Sequence, residues 1–358
     1  MRLLALVTDG FGRSGGIARY NADLVAALSQ SDAVSEVALL PRFAAAIPAR
    51  PAKVHELTPS PGRLAWSARA LALAARQRFD AVFCGHLYAV PLAVGIARLG
   101  RVPLWVQVHG IEAWQPRGAL CRHGLAAAAL VTSVSRYTRA RLLAWADVPP
   151  HRLRVLPNTV SPCYAPRPKP PDLARRHGLE GRRILLTVSR LAGSERYKGH
   201  DRLIAALPAI LARVPDAAYL VVGSGDDQPR LERLAREAGV GDRVVFAGQV
   251  ADADLPRYFA LADAFAMPST GEGFGIALLE AAAAGLPVIG GNRDGSVDAL
   301  ADGRIGRLVD PGDGVEIAAA VADALTGIRP ASGAAQAQRF AFNRFATHVD
   351  ALVRSLAR

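Results

Sequence analysis

Short runs rich in Leu, Val and Ile alternate along the whole chain with longer Ala/Leu/Arg stretches of helical period. That alternation is the pattern of βαβ units on parallel sheets. In the first half it predicts strands at Leu3–Thr8, Val34–Leu40, Ala81–Cys84, Leu104–Val108, Leu130–Val134 and Leu153–Leu156, with helices at Gly16–Ser29, Leu64–Arg78 and Arg136–Ala146. Five prolines within Ser161–Pro171 suit an extended linker. Beyond it the plan restarts, with strands at Ile184–Ser189, Ala218–Val222, Val244–Ala247, Ala264–Met267 and Pro287–Ile289. Helices are expected between them at Arg202–Arg213, Arg230–Ala238, Leu255–Ala262 and Ile276–Ala284. The expected fold class is α/β: two Rossmann-like domains, 1–164 and 165–339, facing across a cleft, with a last helix (340–358) returning to the first. Open parallel sheets bind ligands beyond the carboxyl ends of their strands, so two such halves imply a two-substrate enzyme.

Composition narrows the class. The chain has 358 residues, 51% hydrophobic and 21% charged, enough for two ordinary domains. Apolar runs such as Leu125–Val131 fall far short of a membrane span, and the five-residue run before Thr8 is too short for a signal-peptide core. Three cysteines without a C-x-x-C spacing point to free thiols and a cytoplasmic setting, and give no zinc site. Charge is uneven: residues 1–164 hold 19 Lys and Arg against 8 Asp and Glu, whereas 165–358 hold 24 against 23. One half therefore faces something anionic. Neither zinc-finger spacing nor an aromatic RNA-binding signature accompanies the charge, so nucleic acid is not the expected partner.

The segment Asp9–Gly16 follows the first strand, and Gly10, Gly12 and Gly15 satisfy G-x-G-x-x-G. A dinucleotide site needs an acid at the end of the second strand. That strand instead ends Leu39-Leu40-Pro41-Arg42. This weakens the NAD reading, while Arg42 leaves an NADP-dependent oxidoreductase as an alternative. Otherwise the loop either packs helix on strand or lets a substrate approach bare backbone. In the second half Arg190 closes the first strand and Lys198 precedes a helix, two cations suited to a diphosphate. Only three of the 43 cations are lysines (Lys53, Lys169, Lys198), which makes Lys198 more informative.

Pro268–Pro287 is the sharpest segment: strand, glycine loop, helix, then Gly285 and Pro287. Amides of Gly273, Phe274 and Gly275 at a helix N-terminus make an anion site. Glu272 lies just ahead of it and Glu280 eight residues later, about two turns in. Carboxylates beside phosphate make sense as acceptors of hydrogen bonds from sugar or ribose hydroxyls.

On these motifs, together with Gly15-Gly16, His109-Gly110 and Val222-Gly-Ser-Gly225, the chain resembles a retaining GT-B glycosyltransferase of family 4 over nearly its full length. The resemblance implies a donor that is a UDP- or GDP-linked sugar and no metal or other cofactor. It implies catalytic roles for His109, Arg190, Lys198 and Glu272, with Arg190 and Lys198 on the diphosphate. Glu272 would contact the transferred sugar, Glu280 the nucleotide ribose, and His109 the sugar near its reacting carbon. Gly16, Gly223, Gly225, Gly273, Phe274 and Gly275 complete the expected donor site, and Gly15, Gly16 and His109 the acceptor side. Two departures stand out. The Arg190 to Lys198 gap is longer than usual, which brings Arg196 into consideration as a phosphate ligand. Gly290–Asp298 stands where many relatives have Pro-Glu, leaving Asp294 or Asp298 as substitutes.

Asp252-Ala-Asp254 reads as a metal-binding D-x-D, but it directly precedes a helix and is better explained as a cap. On a helical wheel Leu64, Leu71, Ala75 and Phe79 share the face expected to pack on the sheet. Trp66 and Leu73 fall opposite, edged by Arg63, Arg69, Arg76 and Arg78. That arrangement predicts an interfacial helix whose membrane contacts are Arg63, Trp66, Arg69, Leu73 and Arg76. The leading expectation is thus a peripheral enzyme of the inner membrane face, glycosylating a lipid-linked or membrane-surface glycan acceptor. A non-catalytic nucleotide-sugar-binding module is the other alternative.

Overall fold

In the computed structural model, residues 1–13, 15–45, 50–327 and 333–357 are described. Two compact units divide them: residues 1–159 with 342–358, and residues 160–341.

The first unit is a seven-stranded parallel sheet, β1 (Arg2–Asp9), β2 (Glu36–Phe43), β3 (Val54–Glu56), β4 (Ala81–Cys84), β5 (Leu104–Val108), β6 (Leu130–Ser133) and β7 (Leu153–Val155), in the order β3-β2-β1-β4-β5-β6-β7. Near-continuous burial of β1, β4 and β5 explains why they read as unbroken apolar runs, since both faces of a parallel sheet are covered. The pairing order reverses between β1 and β4, with Leu3 to Leu6 beside Ala81 to Cys84. The closing helix Phe342–Leu356 belongs to this unit: it packs on the helix Gly16–Gln30, Tyr20 meets Phe345 edge-on, and Ser31 Oγ donates to Asp350.

The second unit repeats the plan with six parallel strands, β8 (Arg183–Val188), β9 (Ala217–Val222), β10 (Val244–Gly248), β11 (Ala264–Met267), β12 (Val288–Gly291) and β13 (Arg307–Val309), ordered β10-β9-β8-β11-β12-β13. Here the reversal falls between β8 and β11.

Two expectations are corrected. The helix Arg63–Arg76 packs with the face opposite to the one expected. Trp66 and Ala70 are buried, Leu73 packs against the core, and the Trp66 indole N–H donates to the Leu40 carbonyl at 3.2 Å. Leu64, at 88% exposure, and Leu71 are the outward residues. Both stripes are apolar, and the one holding an indole wins because it buries the larger side chain and supplies a donor to a carbonyl of β2. Arg69 is also diverted, donating to the Thr58 carbonyl at 2.6 Å. In the D-x-D segment, Asp254 occupies the N-cap position of Leu255–Leu261, but its side chain makes no capping bond. Its backbone is already in the helical region there, whereas a capping residue is ordinarily extended.

Candidate functional site

The reversal point of each sheet gathers loops from two adjacent strands, the usual place for ligands in open parallel sheets. In the second unit these are the loop after β8, carrying Arg190, Glu195, Tyr197 and Lys198, and the loop after β11, carrying Glu272. Their fit is close. Gly199 has φ +84°, and a Cβ there would lie 2.6 Å from the Pro268 carbonyl, so glycine brings Lys198 against the end of β11. The Thr270 amide donates to the Tyr197 carbonyl at 2.9 Å, locking the two loops together.

Lys198 Nζ donates to Glu272 Oε1 at 2.6 Å and lies 3.7 Å from Glu195 Oε2. Burial works against the ammonium, but Glu272, Tyr197 and Glu195 outweigh it and lift its pKa to about 12. Lys198 is therefore a fixed cation among carboxylates, in a site shielded enough for charge to count. Arg190 is exposed and its guanidinium donates to Glu195. Arg196 is engaged elsewhere, with Asp227, which Arg230 also holds.

Beneath these loops runs a chain of buried hydrogen bonds. Thr187 Oγ1 donates to the Ala266 carbonyl, Tyr219 donates to Thr187, and the His200 ring bridges Tyr219 and Ser189 at 2.9 and 2.7 Å. This pins the end of β8 to the start of the helix His200–Arg213. Gly223 and Gly225 have a packing role: Cβ atoms there would lie 1.8 Å from the Ser189 carbonyl oxygen and 2.1 Å from that of Leu191. Gly275 caps the helix Ile276–Ala283, directly after Gly273 and the buried Phe274. Glu280 is buried at 6% exposure, unlike an ordinary solvent-facing helical Glu. Asp294 is buried too; it accepts from the Glu272 amide at 2.7 Å, from the Ser296 amide at 2.9 Å and from Ser269 Oγ. Desolvation raises its pKa, and those donors pull the other way. Asp294 thus fixes the loop that carries Glu272. Asp298 lies on the short helix Ser296–Ala299 and is half-buried.

In the first unit the loop after β1 ends at Gly15, with φ +111° and open space above it, and Gly16 starts the helix. His109 follows β5 and is buried; its Nε2 meets the Gly85 carbonyl at 2.9 Å, its backbone amide donates to Glu112, and Tyr20 lies edge-on at 5.1 Å. Burial lowers the His109 pKa. Sequence reasoning did not single out Glu195 or the His86–Tyr88 turn after β4. The spacing of Glu195 three residues before Lys198 was the available signal for the former.

Crystal structures share this architecture along the full chain. Anabaena HepE in complex with UDP aligns with a TM-score of 0.78 at 23% identity, covering 99% of this chain and 100% of that one. Sucrose-phosphate synthase from Thermosynechococcus elongatus aligns at 0.76 and 22%, covering 100% and 99%. Two Rossmann-like units with these strand orders give the chain the GT-B fold. Residues 14–162 match the family described as Glycosyltransferase Family 4, and residues 171–337 that described as Glycosyl transferases group 1. A GDP-mannose-dependent alpha-(1-6)-phosphatidylinositol monomannoside mannosyltransferase of Mycobacterium tuberculosis is 35% identical over 351 residues, covering 91% of this chain and 89% of that one. The namesake from Mycolicibacterium smegmatis is 40% identical over 219 residues, 59% of this chain and 56% of that one. The chain belongs to glycosyltransferase family 4, which overturns the oxidoreductase alternative.

Proposed function

We propose that the chain is a metal-independent, retaining mannosyltransferase that moves mannose from GDP-mannose to a phosphatidylinositol-based glycolipid at the inner membrane face. The observation that carries the chemistry is the Lys198–Glu272 pair at the reversal point of the second sheet. When donor binds, Lys198 and Arg190 turn from Glu272 and Glu195 to the diphosphate, and Glu272 is released to accept hydrogen bonds from the sugar. The bond between the anomeric carbon and the phosphate oxygen breaks and GDP leaves with the electron pair. The acceptor hydroxyl oxygen bonds to the same face of that carbon and passes its proton to the departing phosphate oxygen. Charge grows on the departing diphosphate, so its contacts strengthen in the transition state. These cations take the part a metal plays in D-x-D enzymes. Amides of Phe274 and Gly275 add to the phosphate contact, Glu280 holds the ribose, and His109 the sugar. Mannose and the inositol lipid are supported by the Mycobacterium tuberculosis relative, which matches along 91% of this chain.

The test is a donor panel, GDP-mannose against UDP-glucose and UDP-galactose, with phosphatidylinositol monomannoside in mixed micelles and the product anomer read by NMR. GDP release with an α-linked product, unchanged by EDTA, is expected. Glu272→Gln and Lys198→Ala are each expected to lose at least ~100-fold in kcat, the scale of one transition-state contact. Preference for a UDP-sugar, a β-linked product, or near-normal rates in both variants rejects the corresponding part of the proposal.

A further inference from the structure

The reversal point of the first sheet has a counterpart to the donor loops, the turn Gly85–Ala89 after β4. It lies beside β1, whose own loop ends at Gly15. On this turn Tyr88 is 66% exposed, an unusual state for a large aromatic at the carboxyl edge of a central strand. Its position is nevertheless fixed. The Tyr88 ring stacks on the His86 ring, centroids 4.2 Å apart and planes at 27°, and the Tyr88 amide donates to His86 Nδ1 at 3.3 Å. His86 is itself buried at 6% exposure, and its carbonyl accepts from the Cys84 thiol. The His86 ring lies 6.2 Å from that of His109, and the Gly85 carbonyl meets His109 Nε2.

One face of the Tyr88 ring is therefore covered by imidazole while the ring stays largely open to solvent. Nδ1 accepts a hydrogen bond, so His86 is neutral, and burial keeps it so by lowering its pKa to about 4. A rigid, uncharged aromatic face does not select a phosphate. It suits the C–H face of a cyclic polyol, whose polarised C–H groups meet the negative π face while its hydroxyls point outward. Such sites also cost little ordering entropy, because the platform is already immobile.

We infer that the His86–Tyr88 stack is an acceptor-binding platform, on which the terminal cyclic polyol of the acceptor, a sugar or inositol ring, lies flat beside His109. This rests on the glycosyl-transfer reading for its place in the reaction, but its binding claim stands apart from it.

Saturation-transfer NMR with methyl α-mannoside and with myo-inositol as probes tests the binding directly. The wild-type protein is expected to transfer saturation to ring C–H protons of at least one probe, Tyr88→Phe to do so equally, and Tyr88→Ala to lose the effect. Because Tyr88 is exposed, the Ala variant should keep the wild-type circular dichroism. With phosphatidylinositol monomannoside as acceptor, Tyr88→Ala should raise the acceptor KM by about tenfold, with kcat and acceptor-free GDP-mannose hydrolysis within twofold of wild type. No transfer to either probe in the wild type, or equal transfer in Tyr88→Ala, overturns the platform. Loss in Tyr88→Phe as large as in Tyr88→Ala overturns the stacking and points to the hydroxyl. If the NMR result holds while no nucleotide sugar is turned over, the platform stands and the proposed function fails.

Discussion

At the residue scale, the titration of buried imidazoles follows from how each is held. Thr187 donates to the Ala266 carbonyl and Tyr219 to Thr187, while the two His200 ring nitrogens meet Tyr219 and Ser189, whose hydroxyl also reaches the Arg190 carbonyl. Burial, reinforced by Lys198, lowers the His200 pKa to about 4; burial does the same for His86. Unfolding returns both to about 6.5. Between about 4 and 6.5 the unfolded chain therefore binds more protons, and stability falls as pH drops through that window. Asp23 opposes this: burial raises its pKa to about 6, so the folded state binds the extra proton there. Burial lowers His109 in the same sense and raises Asp294 in the opposite one, so three buried imidazoles stand against two carboxyls and the net effect is a loss of stability as pH falls. Urea midpoints should decline from pH 7 to 4.5, and His200→Gln should flatten the decline; an unchanged slope in that variant would refute the assignment. None of this was legible in the sequence, where His200 is only the residue after Lys198-Gly199. Lys198 and Glu272 were legible because each sits where a loop meets a helix, a place a long-range partner can reach.

At the element scale, strands were easier to read than helix faces. Ala81–Cys84, Leu104–Val108 and Ala264–Met267 coincide with their expected limits, because doubly buried parallel strands are short apolar runs with sharp ends. The helix Val90–Gly100 was missed: it carries Pro91 in its first turn and Gly95 within it, and Arg98 is its one charged residue, so no polar face sets a period. The strand Val54–Glu56 was missed for its three-residue length. The helix Arg63–Arg76 was found but turned around, since periodicity locates two stripes without saying which meets the sheet. Its two faces should differ sharply in a stability measurement. Trp66→Ala should cost about 3–5 kcal/mol by urea unfolding, and Leu64→Ala under about 0.5 kcal/mol. Equal costs would contradict the packing.

At the scale of the whole molecule, the restarted alternation and the proline-rich segment revealed two βαβ units, but the sequence could not say which groups stay available to a surface. The positive excess of residues 1–164 persists as a property of the chain, whereas the expected Trp66/Leu73 ridge does not exist on the outside. The surface left on that helix is Leu64, Ala68, Leu71 and Ala75, all exposed, with exposed Arg63 and Arg76 on the same helix. Among the described residues no helix is long and apolar enough to cross a membrane. For the proposed lipid acceptor, adsorption of this face to the membrane is one route, and one weakly apolar stripe does not secure it alone. Each guanidinium near an anionic leaflet adds about 1 kcal/mol at most, and this contribution decays over ~8 Å at physiological salt. Attachment should therefore be salt-sensitive and depend on both kinds of residue. In co-sedimentation with vesicles containing anionic phosphatidylinositol, wild type should bind at low salt and dissociate as salt rises. Leu64→Ser/Leu71→Ser and Arg63→Glu/Arg76→Glu should each weaken binding severalfold, while Tyr88→Ala should bind as wild type does. Vesicle binding that ignores both double substitutions would place the lipid contact on another face, and no binding by wild type at low salt would make the acceptor a soluble glycan.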